Sequence, residues 1–156
     1  MGHEDAKTRR VEAGRQAFDT SRMRFRHADG SPLGDELEAL VSRIIGAAIA
    51  VHRSLGPGYL EAVYEEALAV ELERQGVGFR RQVLFQVRYC ERVVGEGRLD
   101  LIVEDRVVVE LKAVENMVPL FQAQAISYLR ATGKRVALLI NFNVPVLKDG
   151  IKRILL

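Results

Sequence analysis

An α/β fold, with a mixed central sheet flanked by helices, is predicted by three features of this 156-residue chain. The apolar residues recur at helical spacing from Leu37 to Leu72 and switch to a period of two near Phe79. Between residues 98 and 112 the acidic and basic side chains alternate with leucines and valines, as in paired strands with one apolar face. Val136-Ala-Leu-Leu-Ile140 is a continuous apolar run, as expected of a strand buried on both faces. The predicted order is helix, helix, three strands, helix, strand, then an irregular or short paired tail to Leu156.

Asp35-x-x-Glu38 reads as a capping box that starts the first helix, with Leu37, Leu40, Val41, Ile44, Ile45 and Ala48 turned inward. Gly46, Ala47 and Ala50 would let that helix approach a neighbour closely. Gly56-Pro57-Gly58 ends the pattern. A second helix follows with Leu60, Val63, Tyr64, Ala67, Leu68 and Leu72 inward, and Gly76 and Gly78 stop it. Residues 79–89 form a strand, with Val83, Phe85, Val87 and Tyr89 alternating against Gln82, Leu84, Gln86 and Arg88. A turn around Cys90 to Arg92 leads to strands at 97–103 and 107–113. Gly95-x-Gly97 marks a bulge or a close backbone approach. Pro119 suits the first turn of a helix that runs to about Thr132 and closes at Gly133.

Composition bounds the function classes. A chain of this length reads as one domain, able to bury roughly two thirds of its unfolded surface. Its 48% hydrophobic and 28% charged residues are ordinary for a globular protein. No apolar run is long enough to cross a bilayer, and the first residues have no signal-peptide core. A cytoplasmic protein without membrane attachment is therefore the expectation. A single cysteine, Cys90, excludes an internal disulfide and a cysteine-rich zinc site. Cys90 lacks a histidine partner for thiol chemistry, and His52 reads as a packed or capping residue. The net charge of +2 is concentrated in residues 1–27, where seven basic and four acidic side chains give +3 and leave the remainder at −1. Residues 1–34 read as a mobile basic tail or linker and 35–156 as the folded domain. Charge alone does not demand a nucleic-acid partner.

The chemistry concentrates on Asp100, Glu110 and Lys112. Glu110 and Lys112 share a strand face, roughly 7 Å apart. A two-residue turn at Glu104-Asp105 would place Asp100 on the opposite face. A three-residue turn, Glu104-Asp105-Arg106, sets Val103 opposite Val107, Asp100 opposite Glu110 and Arg98 opposite Lys112. Leu99, Leu101, Val103, Val107, Val109 and Leu111 then make a uniformly apolar second face, which favours the odd-length turn. Facing carboxylates repel and need compensation from Lys112, Arg98 or a bound cation. Glu61, at i,i+3 from Tyr64 and i,i+4 from Glu65, offers a third carboxylate from the second helix. Gln124 and Tyr128 are also at i,i+4 on the third helix, where polar Gln124 interrupts an otherwise apolar face formed by Leu120, Ser127, Tyr128 and Ala131. Each of these has a plain alternative. The strand charges can be a solvated face, Glu61 an exposed residue at a helix start, and Gln124 a partner for a buried backbone group.

Asp100, nine intervening residues and Glu110-Leu-Lys112 resemble the Asp…(Asp/Glu)-x-Lys signature of the PD-(D/E)xK nuclease superfamily. Gly58-Tyr-Leu-Glu61-Ala-Val-Tyr64 resembles the motif of the GxxExxY proteins, a small bacterial and archaeal branch. Similar words surround them: His52-Arg-Ser-Leu-Gly-Pro-Gly58, Val109-Glu-Leu-Lys-Ala-Val114, Gln124-x-x-x-Tyr128-Leu129 and Leu139-Ile-Asn-Phe142. The resemblance runs from about Leu40 to the C-terminus, and only the superfamily's proline is missing, replaced by Leu99. It implies a restriction-endonuclease-like α/β fold and a Mg²⁺-dependent phosphodiester hydrolase acting on DNA or RNA, with Mn²⁺ as a substitute. Asp100, Glu110 and Glu61 would ligate the metal, and Lys112 would orient or help deprotonate the attacking water. Gln124 would match a polar residue on the helix after the lysine strand, with Tyr128 and Arg98 beside it as substrate contacts. The alternative is a catalytically silent nucleic-acid-binding or regulatory module on the same fold. A homo-oligomer is a further candidate, recognisable by an apolar surface patch.

Overall fold

The computed structural model describes residues 33–156, and the basic segment expected before them lies outside the described residues. Helix α1 spans Asp35–Leu55 and α2 spans Glu61–Arg74. Strands β1 (Phe79–Tyr89), β2 (Arg92–Val103) and β3 (Val107–Lys112) follow, then α3 (Pro119–Thr132), β4 (Val136–Asn141), a short 3₁₀ turn at Leu147–Gly150 and β5 (Ile151–Leu155). The sheet has the order β1-β2-β3-β4-β5, with β3 and β4 parallel and every other pair antiparallel. The fold class and the order of the main elements are as the sequence predicts.

Two apolar cores sandwich the sheet. One packs α1 and α2 onto Leu101, Val103, Val107, Val109, Leu111, Val136, Leu138 and Ile140. The other packs Ala125 and Leu129 of α3 onto Leu99, Ile102, Val108, Ala137, Leu139 and Ile154. All six residues of β4 are buried, because helices cover both of its faces. Among the described residues no helix is long and apolar enough to cross a membrane.

Several local expectations change. Gly34, not Asp35, is the N-cap of α1, and no side chain caps the helix. Glu38 instead forms an ion pair with Arg153 of β5, while Asp35, Glu36 and Glu38 still complement the positive end of the helix. Leu33 is buried, so the packed body reaches two residues ahead of Asp35. Gly46 and Ala50 are exposed, leaving Ala47 as the small residue at the helix contact. Leu60 and Val63 are exposed too, because the buried stripe of α2 runs through Tyr64, Leu68, Ala69 and Leu72. On α3, Leu120, Ser127 and Ala131 face outward, and Ala125 and Leu129 are its buried residues. His52 is buried and packs as expected, with Nε2 2.8 Å from the Val144 carbonyl oxygen.

Strand β2 is longer than expected, starting at Arg92 and incorporating both glycines. A two-residue turn, Cys90-Glu91, with both residues at positive φ, closes a long β1–β2 ribbon. The register slips between Val87, paired with Gly95, and Arg88, paired with Val93, so the bulge falls on Val94, next to Gly95. Gly97 is a close approach: a Cβ there would lie 2.1 Å from the Phe85 ring.

Candidate active site

The β2–β3 turn has the odd length that the chemistry requires. Glu104 and Asp105 take positive φ, the Arg106 N–H donates to the Val103 carbonyl at 3.0 Å, and Val103 pairs with Val107. The ladder continues only as far as Leu101 opposite Val109. At the next position the two acids replace it. The Asp100 N–H donates to Glu110 Oε1 at 3.1 Å, and the Leu111 N–H donates to Asp100 Oδ2 at 2.8 Å. Each carboxylate thus satisfies a backbone donor of the opposite strand and keeps a second oxygen for other work.

Asp100 also sits where the ribbon turns over. On β1, Phe79 packs into the α1/α2 core, yet Val83 and Phe85, of the same parity, pack into the α3 core. On β2, Leu101 and Val103 face α1 and α2, while Leu99 joins the α3 core. The expected uniform face from Leu99 to Leu111 is therefore broken at Asp100. The facing residue on β1 is Gln82, which lies between the pairs Arg81↔Leu101 and Val83↔Leu99 and has φ of 51°. A left-handed residue inside a strand reverses the alternation of side chains beyond it. The turnover leaves Asp100 at the boundary between the two helical layers.

From the α2 side, Glu61 and Glu65 approach Asp100. A pocket of about 280 Å³ is lined by Glu61, Ala62, Glu65, Gln82, Asp100 and Leu111. Glu65 takes a hydrogen bond from the Gln82 side-chain amide and pairs with Arg81 at 3.0 Å, and Arg81 also reaches Glu66 at 2.6 Å. Glu61 is the first residue of α2, after the N-cap Leu60 and three residues beyond Gly58 of the Gly56-Pro57-Gly58 turn. The Tyr64 hydroxyl pins that turn by donating to the Gly56 carbonyl at 2.6 Å and accepting from the Tyr59 N–H at 3.2 Å. Tyr64 stacks on Phe142 with ring centroids 4.5 Å apart, so the tyrosine of the Gly58–Tyr64 motif is an anchor and not a substrate contact.

From the α3 side come Lys112 and Tyr128. Lys112 Nζ lies 4.4 Å from the centroid of the Phe121 ring, a cation–π contact that aims the ammonium along α3. Tyr128 makes an edge contact with Phe85 at 5.0 Å, and burial followed by the charges of Glu110 and Asp100 raises its hydroxyl pKa. Gln124 is half-buried one turn earlier on α3, without a hydrogen-bond partner among the described residues. Arg98 is not where the sequence puts it. It pairs with Leu84 across β1 and is exposed, and Lys112 pairs with Asn141 of β4, so the cation beside the carboxylates is Lys112. Asn141, which the sequence marks only as part of a motif word with no role of its own, is buried and binds both the N–H and the C=O of Val114, fixing the chain that leaves Lys112.

The electrostatics follow from this crowding. Burial, then the charge of Asp100, pushes the Glu110 carboxyl up to about 8, against a partial offset from backbone bonding and Lys112. Asp100 is raised mainly by burial, and Glu61 by burial and then by Asp100. Asp100 and Glu110 face each other where the ladder ends, each accepting a backbone N–H of the other strand, so the charge of one disfavours the charge of the other. The donor set is all oxygen, which suits a hard divalent cation. Among the described residues no three acids, histidines or cysteines converge into a ready-made metal cage. The two strand acids are adjacent and Glu61 stands apart. Such a set matches Mg²⁺, which is commonly held by one or two carboxylates with waters and substrate phosphate filling the rest. Sequence reasoning passed over Gln82 and left Glu65 out of the site, although Glu65 carries a signal as the acid one helical turn after Glu61.

A family model described as the PD-(D/E)XK nuclease superfamily matches residues 38–154. No curated protein and no solved structure matches the chain significantly.

Proposed function

Because this chain belongs to the PD-(D/E)XK nuclease superfamily, we propose that it is a Mg²⁺-dependent nuclease that hydrolyses phosphodiester bonds of DNA or RNA. The observation that carries this reading is the Asp100–Glu110 pair, two neighbouring buried carboxylates with Lys112 beside them. A fold gains nothing in stability from burying two repelling acids, and a cation is what relieves them. Their second oxygens would hold the metal, and Glu61 would complete the shell directly or through a water. The bound ion would supply Lewis-acid polarisation of the scissile phosphate and lower the pKa of a water.

The chain's own residues then have distinct tasks. Glu110, whose carboxyl burial and Asp100 push up to about 8, would hold the ion as an anion, its proton passing to solvent. Lys112 orients the attacking water and stabilises charge that develops on the phosphate oxygens. Tyr128 and Gln124 face the substrate from α3. A groove of about 670 Å³ lined by Gln86, Val87, Arg88, Ser127, Arg130 and Ala131 lies between the outer ribbon and α3. Arg88 and Arg130 form no ion pair among the described residues, which suits a phosphate backbone running toward Tyr128. The motif from Gly58 to Tyr64 supports placement in the GxxExxY branch. Leu84, Tyr89, Val93 and Val94 are exposed on the same ribbon, which is the support for a homo-oligomer, testable by sedimentation.

The silent-module alternative draws on the absence of a third converging acid among the described residues. A cleavage panel separates the two. Single- and double-stranded DNA and RNA are incubated with Mg²⁺ or Mn²⁺, beside Lys112→Ala and Asp100→Ala. The nuclease reading expects at least one substrate to be cut by the wild type and neither variant to cut it, with Ca²⁺ bound but inactive. No cleavage of any substrate, together with no Mn²⁺ binding in calorimetry, overturns it. Oligonucleotide and Mn²⁺ binding without cleavage would favour the silent module.

A further inference from the structure

We propose that Gln82 is a positioning residue for the metal-binding carboxylate of Asp100, acting through its left-handed backbone and held in place by Glu65. The inference rests on the nuclease reading for its purpose but on the ribbon geometry for its content. Gln82 is the only residue inside β1 with positive φ, at 51°, and it faces Asp100 across the β1–β2 ladder. Both strands switch core at this one pair, as Phe79 and Val83 show on β1 and Leu101 and Leu99 on β2. If Gln82 were extended, β1 would keep its alternation and Val83 would follow Phe79 into the α1/α2 core. Leu99 would follow Leu101, and Asp100 would be confined to the α3 side, away from Glu61.

The conformation is disfavoured for any residue with a Cβ, and such outliers persist only where their surroundings hold them. Here the holding contact is visible. The Gln82 amide donates to Glu65 Oε1, and Arg81 fixes the other Glu65 oxygen at 3.0 Å while gripping Glu66 at 2.6 Å. Two consecutive β1 residues are thus tied to one face of α2, the face that also carries Glu61. The same contact sets the distance between helix and ribbon across the pocket that Glu61, Glu65, Gln82 and Asp100 share. Gln82 therefore links the two halves of the site, the strand acids and the helix acid, without touching the reacting atoms.

The test compares Gln82→Gly, Gln82→Asn and Gln82→Val in the full chain. Glycine and asparagine accept positive φ, whereas valine strongly resists it. Mn²⁺ affinity by calorimetry is the main readout, with the metal-free thermal midpoint as a second. Valine is expected to weaken Mn²⁺ binding at least about fivefold more than glycine does, and asparagine to behave like glycine. Glycine is expected to hold the metal-free midpoint near that of wild type, while valine lowers it by several degrees. Equal losses of Mn²⁺ affinity for glycine and valine overturn the proposal. If valine unfolds the chain, asparagine against Gln82→Ala makes the same comparison with less strain. A wild type that binds Mn²⁺ but cuts nothing would favour the silent module over the nuclease and leave this comparison intact. A wild type that binds no Mn²⁺ would overturn both.

Discussion

The strand-borne acids and the helix-borne acids of the site are built in opposite ways. Asp100 and Glu110 lie side by side at the point where a ladder ends, each bonded to a backbone N–H of the other strand. Their position is set by the backbone, and burial raises the pKa of both. Glu61 projects from the first turn of α2, exposed, with no side-chain hydrogen bond of its own among the described residues. The difference teaches that the strand pair is the preformed half of the candidate site, storing electrostatic strain that a bound cation would relieve. The helix acid is the adjustable half: burial and Asp100 raise its pKa too, but its side chain is exposed and no strand backbone fixes it.

The largest effect should follow from removing a strand acid. Asp100→Asn keeps the shape and takes away one charge. Its kcat is expected to fall roughly 10³-fold or more, equivalent to about 4 kcal/mol of transition-state stabilisation. The metal-free protein should become no less stable, because the charge facing Glu110 is gone. A variant that loses both activity and stability would show that Asp100 serves the fold and not the metal, and the comparison would fail at its first step.

The stored strain predicts a pH dependence with a definite sign. Glu110 titrates near 8 in the folded chain and near 4.5 when exposed, so between those values the folded state holds a proton that the unfolded state has released. Stability of the metal-free protein must then fall as pH rises from about 4.5 to 8 and level off above. The accumulated loss is on the order of several kcal/mol before other groups are counted. Thermal midpoints in EDTA across that range should decline, and Mg²⁺ should restore stability most at the alkaline end, where no proton has to leave. A midpoint that climbs with pH in EDTA would mean that Glu110 is not the strained member.

Much of this arrangement was legible in the residues, and the failures have physical causes. The meeting of Asp100, Glu110 and Lys112 follows from the period of two, since only an odd turn keeps Val103, Val107, Val109 and Leu111 on one face. Parity then misled at Leu99 and Arg98, because it assumes an unbroken alternation. Both strands turn over where Gln82 faces Asp100, and nothing in the type of Gln82 announces its positive φ as a glycine would. Gly95 and Gly97 suggested the bulge and close approach that exist, but they also suggested a strand start, and tertiary pairing with β1 overrode them. On α2 the tyrosine, with its two hydrogen bonds and its stack on Phe142, draws the buried stripe away from Leu60 and Val63. That partner lies 78 residues along the chain, beyond any local pattern.

A smaller effect is expected at the adjustable half. Glu61→Gln should weaken Mn²⁺ binding about tenfold, in the range found for supporting contacts at metal sites. Its thermal midpoint in EDTA should match wild type within error, because the side chain is exposed. A loss of affinity as large as that of Asp100→Asn would make Glu61 an equal partner of the strand acids.

Tyr64→Phe separates anchoring from ligation with the smallest expected change. The substitution leaves the stack on Phe142 and removes the hydroxyl that accepts from Tyr59 N–H and donates to Gly56 C=O. Losing a buried hydrogen bond while orphaning a carbonyl costs about 1–2 kcal/mol, or roughly 5 °C in the midpoint of a domain this size. The turn before Glu61 loosens, but an adjustable acid tolerates a looser mount, so Mn²⁺ affinity should drop by no more than about threefold, less than for Glu61→Gln. Equal losses in the two variants would mean that the α2 N-terminus is held as rigidly as the strand pair. The motif tyrosine would then organise the metal site through Glu61, and the site would have no adjustable half.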